Sequence, residues 1–328
     1  MAILVTGGLG YVGSHAVKQL VDRGEQVISL DSLVFGHKEA ACGSEVVIGD
    51  IGDQALLRQL FSTHKIDAVM HFAAFADVGE SVSDPQKYYL NNITNSLAML
   101  QVMIEFDVKM MIFSSSAATF GEPEIVPIPE DHSKTPTNPY GRSKLMLEHI
   151  LGEYEHAYGL RSISLRYFNA SGADPSGLIG EDHTPEHHLI PLVIQVALGQ
   201  RDKVSVFGSD WPTPDGTCVR DYVHVSDLAQ AHLLGLDALR SGKATTAYNL
   251  GNGNGYSVME VVKMVENVTG KPINAVPADL RPGDPAVLVA SAQKISSELG
   301  WKPNYPDLET IVQTAWNWHR AHPNGFSV

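Results

Sequence analysis

Short apolar runs and stretches of helical apolar spacing alternate through the first half of this chain. Residues 2–5 (Ala2-Ile3-Leu4-Val5) form an apolar run that reads as a strand buried on both faces. Val12, Ala16, Val17, Leu20 and Val21 then recur at helical spacing, with Gly24 placed as a C-terminal cap. The alternation continues with strands at 26–30, 45–48, 66–72, 109–113 and 162–168. Between them lie a helix carrying Leu56, Leu57 and Leu60 behind Asp53, a long helix at 88–106, and a helix opened by Asn138-Pro139. Strands separated by helices predict an α/β protein with a doubly wound parallel Rossmann sheet. Beyond Asn169 the alternation lapses into loops, short strands and helices near 189–198, 227–239, 258–268 and 308–320. We read residues 1–168 as the nucleotide-binding domain, to which the chain returns around 219–250, and 169–328 mainly as a smaller α/β substrate-binding lobe.

The first strand runs into Thr6-Gly7-Gly8-Leu9-Gly10-Tyr11-Val12-Gly13. Glycines on a strand-to-helix turn permit a tight turn, close approach of backbone to a pyrophosphate and close helix–sheet packing. The helix N-terminus adds free N–H groups and the positive end of its dipole, so Gly7, Gly10, Tyr11, Val12 and Gly13 are candidate contacts. The second strand ends in Asp31, where a dinucleotide fold places the carboxylate that bonds an adenosine ribose. No arginine follows closely, which favours NAD over NADP. Asp50 and Ile51 follow the third strand as candidate adenine neighbours. Phe72, Ala73 and Ala74 follow the fourth, where a bulky side chain would block a cofactor. Asn91 or Asn92 is placed to reach a cofactor ribose. His71, inside a buried strand, is read as a satisfied core histidine.

Composition narrows the partners. Apolar residues make up 44% of 328 residues, enough for a large core. A net charge of −14 disfavours nucleic acid and anionic membrane, so a polyphosphate ligand must be held by a few placed cations and backbone amides. Two cysteines give neither a disulfide framework nor metal spacing, and no metal is expected. The segment Asp182-His183-Thr184-Pro185-Glu186-His187-His188 is rich in ligand types, but its spacing is irregular and hydride chemistry needs no metal. No apolar run approaches membrane-spanning length, and a cytoplasmic protein is expected.

In an open parallel sheet, ligands sit at the carboxyl ends of strands, where Ser114-Ser115-Ser116 follows the fifth strand. Tyr140 and Lys144 lie four apart on the next helix, on one face. A free tyrosine, with a pKa of about 10, is a poor base, and a nearby ammonium or oxidised nicotinamide favours its phenolate. Tyr140 is thus the candidate base, Ser116 a relay on the same substrate hydroxyl, and Lys144 a holder of the nicotinamide ribose. Ser114 and Tyr167 are further strand-end candidates for cofactor contact.

TGGLGYVG, with its Gly-x-x-Gly-x-x-Gly spacing, resembles the extended short-chain dehydrogenase/reductase family. Together with HFAAFADVGES, SSSAAT, NPYGRSK, LRYFNASGADPSG, FGSDWPTPDGTCVRDYVHV and YNLGNG, it looks like that family's UDP-sugar 4-epimerases over essentially the whole chain. The resemblance implies NAD-dependent interconversion of UDP-glucose and UDP-galactose and a homodimer, and Leu288 in place of a family Tyr extends the expectation to UDP-N-acetyl sugars. It assigns Asn169, His188, Leu189, Phe207, Arg220, Arg281, Asp284 and Leu288 to the UDP-sugar. Arg220 and Arg281 suit a diphosphate; taken alone, Arg220 equally suits pairing with Asp221 or Asp227, and Phe207 equally suits the core. The chain departs from some family members at Ala76 (for Lys), His188 (for Asn), Phe120 (for Tyr) and Leu288 (for Tyr). Ser116-Ala117-Ala118 carries none of the carboxylates of the related dehydratases.

Overall fold

The computed structural model describes residues 1–280 and 285–326. The elements run β1 (Ala2–Thr6), α1 (Tyr11–Asp22), β2 (Gln26–Asp31), β3 (Glu45–Ile48), α2 (Gln54–Thr63), β4 (Ile66–His71), α3 (Val78–Ser83) and α4 (Pro85–Tyr89). They continue with α5 (Ser96–Glu105), β5 (Met110–Ser114), α6 (Pro139–Tyr158), β6 (Arg161–Arg166), β7 (Asn169–Ser171), α7 (Leu189–Ala197), β8 (Val204–Phe207), β9 (Val219–Arg220) and β10 (Tyr222–His224). The last are α8 (Val225–Arg240), β11 (Thr246–Asn249), β12 (Tyr256–Ser257), α9 (Val258–Thr269), β13 (Ala275–Ala278), β14 (Val287–Leu288), α10 (Gln293–Leu299) and α11 (Leu308–Ala321).

Seven parallel strands form the central sheet in the order β11-β6-β5-β4-β1-β2-β3. This is the expected doubly wound sheet: β1 lies centrally, pairing with β2 on one side and β4 on the other, so the order reverses beside its carboxyl end. Every residue of β1 is buried, as a strand covered by helices on both faces requires. One face of the sheet packs β1 and β4 residues such as Leu4 and Val69 with Leu57, Met99, Met103 and Leu147 of α2, α5 and α6. The other face packs Ile3, Val5 and Ile112 with Val17 and Leu20 of α1 and Leu228 and Leu236 of α8. A third core joins α7, α9 and α11 through Val193, Val261, Val265 and Ile311. Asp53 caps α2 by accepting the amides of Ala55 and Leu56, and Gly24, at φ +81°, ends the turn after α1.

The helix expected at 88–106 is interrupted. Residues Leu90–Asn95 form a π-helical turn between α4 and α5. The buried Asn92 on this turn bonds both the amide and the carbonyl of Phe75 and reaches Ser143 of α6. Apolar periodicity carries no mark of such a wide turn, which is set by where one buried amide finds its partners.

Candidate functional site

The glycine turn is shaped by contacts that leave no room for side chains. A Cβ on Gly13 would lie 2.0 Å from the Gly7 carbonyl oxygen, and one on Gly7, at φ +69°, would lie 2.6 Å from the Ala73 nitrogen. Gly10 differs, because its Cβ would meet nothing closer than 3.5 Å and would point into space a ligand can fill. Gly10 is the N-cap of α1 and provides no side-chain cap, so the first amides of the helix face outward at its positive end. Tyr11 and Val12 are the first two residues of that helix. The Tyr11 hydroxyl donates to the Gly172 carbonyl at 2.6 Å, tying the turn to the segment after β7. These features fit a dinucleotide pyrophosphate over Gly10.

Asp31 ends β2 almost fully buried, and its two carboxylate oxygens accept the amides of Leu9 (3.0 Å) and Leu33 (2.8 Å). Each oxygen keeps an accepting position for a ribose hydroxyl. Gly36 packs over it: a Cβ there would lie 2.6 Å from the carboxylate. Asp50 accepts the Gly52 amide and the Asn95 side chain, and Ile51 is buried beside it. Phe72 packs its ring against His232 at 4.6 Å, while Ala73 donates its amide to Thr6. Asn91 donates its side-chain amide to Asn92.

His71 is a core residue. Its Nδ1 lies 2.7 Å from Thr6 Oγ1 and its Nε2 3.0 Å from Ser96 Oγ, while Ser96 gives its one proton to the Asn92 carbonyl. That leaves Nε2 as the donor and Nδ1 as the acceptor. Burial, helped by the Lys144 charge, pushes the imidazole pKa down to about 3, so the ring is neutral.

At the end of β5, the Ser114 hydroxyl and the Tyr167 hydroxyl are 2.5 Å apart, and Ser116 is nearly buried at the N-cap of a short turn. Asn138 caps α6 and Pro139 opens it, which presents Tyr140 and Lys144 on its first turns. The buried Lys144 Nζ donates to the Ser114 carbonyl at 2.8 Å and lies 5.8 Å from the centre of the Tyr140 ring. Burial pushes the ammonium down to about 7. Burial also raises the Tyr140 phenol, and a hydrogen bond with Ser116 acts the other way. Spacing brings these three groups together as expected. The expected depression of the phenol by the ammonium is not found in the protein alone: burial outweighs the Ser116 hydrogen bond, and the Lys144 ammonium is directed to the Ser114 carbonyl.

A group that sequence reasoning missed stands behind them. Glu148, one turn after Lys144, forms a bidentate pair with Arg166 of β6 at 2.9 and 2.5 Å and accepts the Ser115 hydroxyl at 2.6 Å. Both charged side chains are almost fully buried. The signal was Glu148 at helical spacing from Lys144, with Arg166 closing a strand whose residues 162–166 are all buried.

The residues assigned to the sugar nucleotide lie on the short strands and on α7. Asn169 opens β7 and donates its side-chain amide to the Asp221 carbonyl at 3.0 Å. Arg220 donates to the carbonyls of Val219 and Pro285, and it sits in register with Leu288 of β14. The Asp221 carboxylate accepts the amides of Asn252 and Ala290, and that of Asp227 the amides of Asn304 and Tyr305. Leu288 packs with Ala117, Phe120, Ile128 and Phe168, beside the Ser116 turn. Phe207 ends β8, paired with Ala278, and Leu189 opens α7 and packs near Val206. His188 stands just ahead of α7, 2.6 Å from Glu181. Arg281 and Asp284 lie outside the described residues.

Parallel sheet, order reversal and a side-chain-free glycine turn together define a dinucleotide-binding protein of the Rossmann class. Residues 3–251 match the model of the NAD dependent epimerase/dehydratase family, and the chain belongs to that family. It is 55% identical over 327 residues to the UDP-glucose 4-epimerase of Halalkalibacterium halodurans, covering 100% of this chain and 98% of the relative. A crystal structure of a UDP-glucose 4-epimerase superposes with a TM-score of 0.98 at 52% identity, over 100% of both chains. The enzyme from Bifidobacterium longum, solved in complex with NAD+ and UDP, superposes with a TM-score of 0.94 at 40% identity, over 99% of this chain and 100% of that one.

Proposed function

We propose that this chain interconverts UDP-glucose and UDP-galactose with NAD as its resident cofactor. The observation that carries the reading is the joint position of Ser116, Tyr140 and Lys144 at the carboxyl edge of the sheet, with names shared by full-length relatives at high identity in support. NAD, when bound, supplies an acceptor and donor of hydride at the sugar C4. Tyr140 removes the 4-hydroxyl proton, Ser116 orients that hydroxyl through its own bond to the phenol, and Lys144 holds the cofactor ribose and stabilises the phenolate. Gly7, Gly10, Tyr11, Val12, Gly13, Asp31, Asp50, Ile51, Phe72, Ala73, Ala74, Asn91, Ser114 and Tyr167 are the proposed cofactor shell. Asn169, His188, Leu189, Phe207, Arg220, Arg281, Asp284 and Leu288 are the proposed nucleotide and sugar contacts. Rotation of a 4-keto sugar about its diphosphate presents the opposite face for reduction, so those contacts must grip the nucleotide and leave the sugar loose.

Elimination of water is disfavoured: Ala117 and Ala118 follow Ser116 without a carboxylate, and Glu148 is committed to Arg166 and Ser115. The domain division at residue 168 and a homodimer belong to the same proposal. The dimer is supported by exposed Leu97, Phe106 and Tyr158 along the α5–α6 face, and light scattering on the purified protein tests it. No helix among the described residues is long and apolar enough to cross a membrane. An NMR time course with UDP-galactose and no added cofactor tests the activity. Appearance of UDP-glucose is expected, and an unchanged spectrum with correctly folded protein would overturn the reading.

A further inference from the structure

We propose that Glu181, His183, Glu186 and His188 form a structural binding site for a zinc-class divalent cation. Each offers one ligand atom, and the four atoms lie within 4.8 Å of one another. Tetrahedral zinc with ligands at about 2.0–2.2 Å requires ligand atoms roughly 3.3–3.6 Å apart. Glu181 Oε1 lies 3.3 Å from His183 Nδ1 and 2.6 Å from His188 Nδ1, while Glu186 turns Oε1 to His188 Nδ1 at 3.3 Å and Oε2 to His183 Nδ1 at 3.9 Å. Among these pairs the Glu181–His188 contact has to open to admit the ion and the His183–Glu186 contact has to close, each by roughly 1 Å or less on the same geometry.

The burial pattern also points to a ligand. Glu181 is 3% exposed, and its Oε1 makes no hydrogen bond although two imidazole nitrogens stand close by. An oxygen approached by two rings without hydrogen-bond geometry suits groups converging on a common centre. Glu186 is oriented from behind, because the amides of His187 and His188 donate to its Oε1 at 2.7 and 2.8 Å. The His183 ring is set between Tyr11 and Phe35, edge to face with each. His188 is half-exposed, which leaves an entry path. Two imidazoles and two carboxylates favour zinc over calcium or magnesium, which take oxygen ligands. Four protein ligands close the coordination shell, as in a structural site. The ion would fasten the stretch leading into α7 against the glycine turn, next to Tyr11, and against α11, where Trp318 donates to the Glu181 carbonyl. The site's sequence form is Glu-x-His-x-x-Glu-x-His, and without Glu181 its spacing looks irregular.

The test uses the full chain, stripped with a chelator, loaded with zinc or cobalt(II), and desalted. Wild type should retain one ion per chain, show the intense visible absorption of tetrahedral cobalt(II), and melt at a higher temperature with zinc. His183→Ala and the milder Glu186→Gln should each weaken zinc binding by at least about tenfold, the lower end for disturbing a metal's supporting groups. A wild type that retains no zinc overturns the proposal, as does equal retention by wild type and both variants. An octahedral cobalt spectrum overturns the closed four-ligand geometry.

Discussion

Lys144 Nζ gives a 2.8 Å hydrogen bond to the carbonyl of Ser114, so the lysine of α6 is tied to the end of β5 and not to the tyrosine one turn before it. The tie fixes the distance between the helix and the strand end that carries Ser116. Burial leaves the ammonium under-solvated, at a pKa of about 7. Stability therefore depends on pH. An ordinary lysine titrates near 10.4, so the folded protein is penalised as pH falls from that value to about 7, and no further below it. Lys144→Met removes the penalty. Its thermal midpoint relative to wild type should be most favourable near pH 6–7 and lose that advantage by about pH 10.5. The lost hydrogen bond adds an offset that does not vary with pH, so a flat difference across the range would contradict the buried-ammonium account.

Tyr140→Phe keeps the ring and removes the proton acceptor. Turnover should fall by about a hundred- to ten-thousand-fold, the usual weight of a general acid–base group, while UDP binding by calorimetry is unchanged. Near-wild-type turnover would dismiss Tyr140 as the base.

Two of the glycines in the turn, Gly13 and Gly10, separate folding from cofactor approach. Gly13→Ala puts a Cβ against the Gly7 carbonyl and should cost about 1–3 kcal/mol in urea unfolding. Gly10→Ala meets only ordinary contacts in the protein and should leave the unfolding midpoint almost unchanged. Nucleotide released on denaturation should nevertheless drop in Gly10→Ala, because its methyl stands where the pyrophosphate lies. Full retention in a folded Gly10→Ala protein would move the pyrophosphate elsewhere.

Breaking the buried Glu148–Arg166 pair from one side leaves an uncompensated charge. Glu148→Ala should destabilise by about 3–5 kcal/mol. The double variant Glu148→Met, Arg166→Leu should recover a large part of that loss, because no charge then remains buried. Strictly additive single losses in denaturant midpoints would show the pair to be uncoupled.

Leu288 packs beside the Ser116 turn with Phe120 and Ile128. A tyrosine there would crowd the arc swept by a 2-N-acetyl group more than that swept by a 2-hydroxyl. Wild type is expected to interconvert the N-acetylated UDP-sugars as well, and Leu288→Tyr to lose that activity selectively. Assays of both substrate pairs check this, and a wild type inert toward the acetylated pair removes Leu288 as a gate.

The central sheet, its helices and the glycine turn were legible in the chain alone, because the signals are local. Residues 2–5 read as a strand buried on both faces, and Gly7, Gly10, Gly13 and Asp31 sit at offsets set by short strands, one turn and one helix. Tyr140 and Lys144 were legible for the same reason, since four residues on a helix share a face. Tertiary structure decided whatever depended on partners far along the chain. The wide turn at Leu90–Asn95 exists because Asn92 meets Phe75 and Ser143. Lys144 chose the Ser114 carbonyl over Tyr140, and Glu148 met Arg166 across two elements. Glu181 joined its three neighbours only because a loop with no periodicity folded back on itself. Buried polar groups must find partners wherever the packed chain offers them, and sequence spacing does not record that choice.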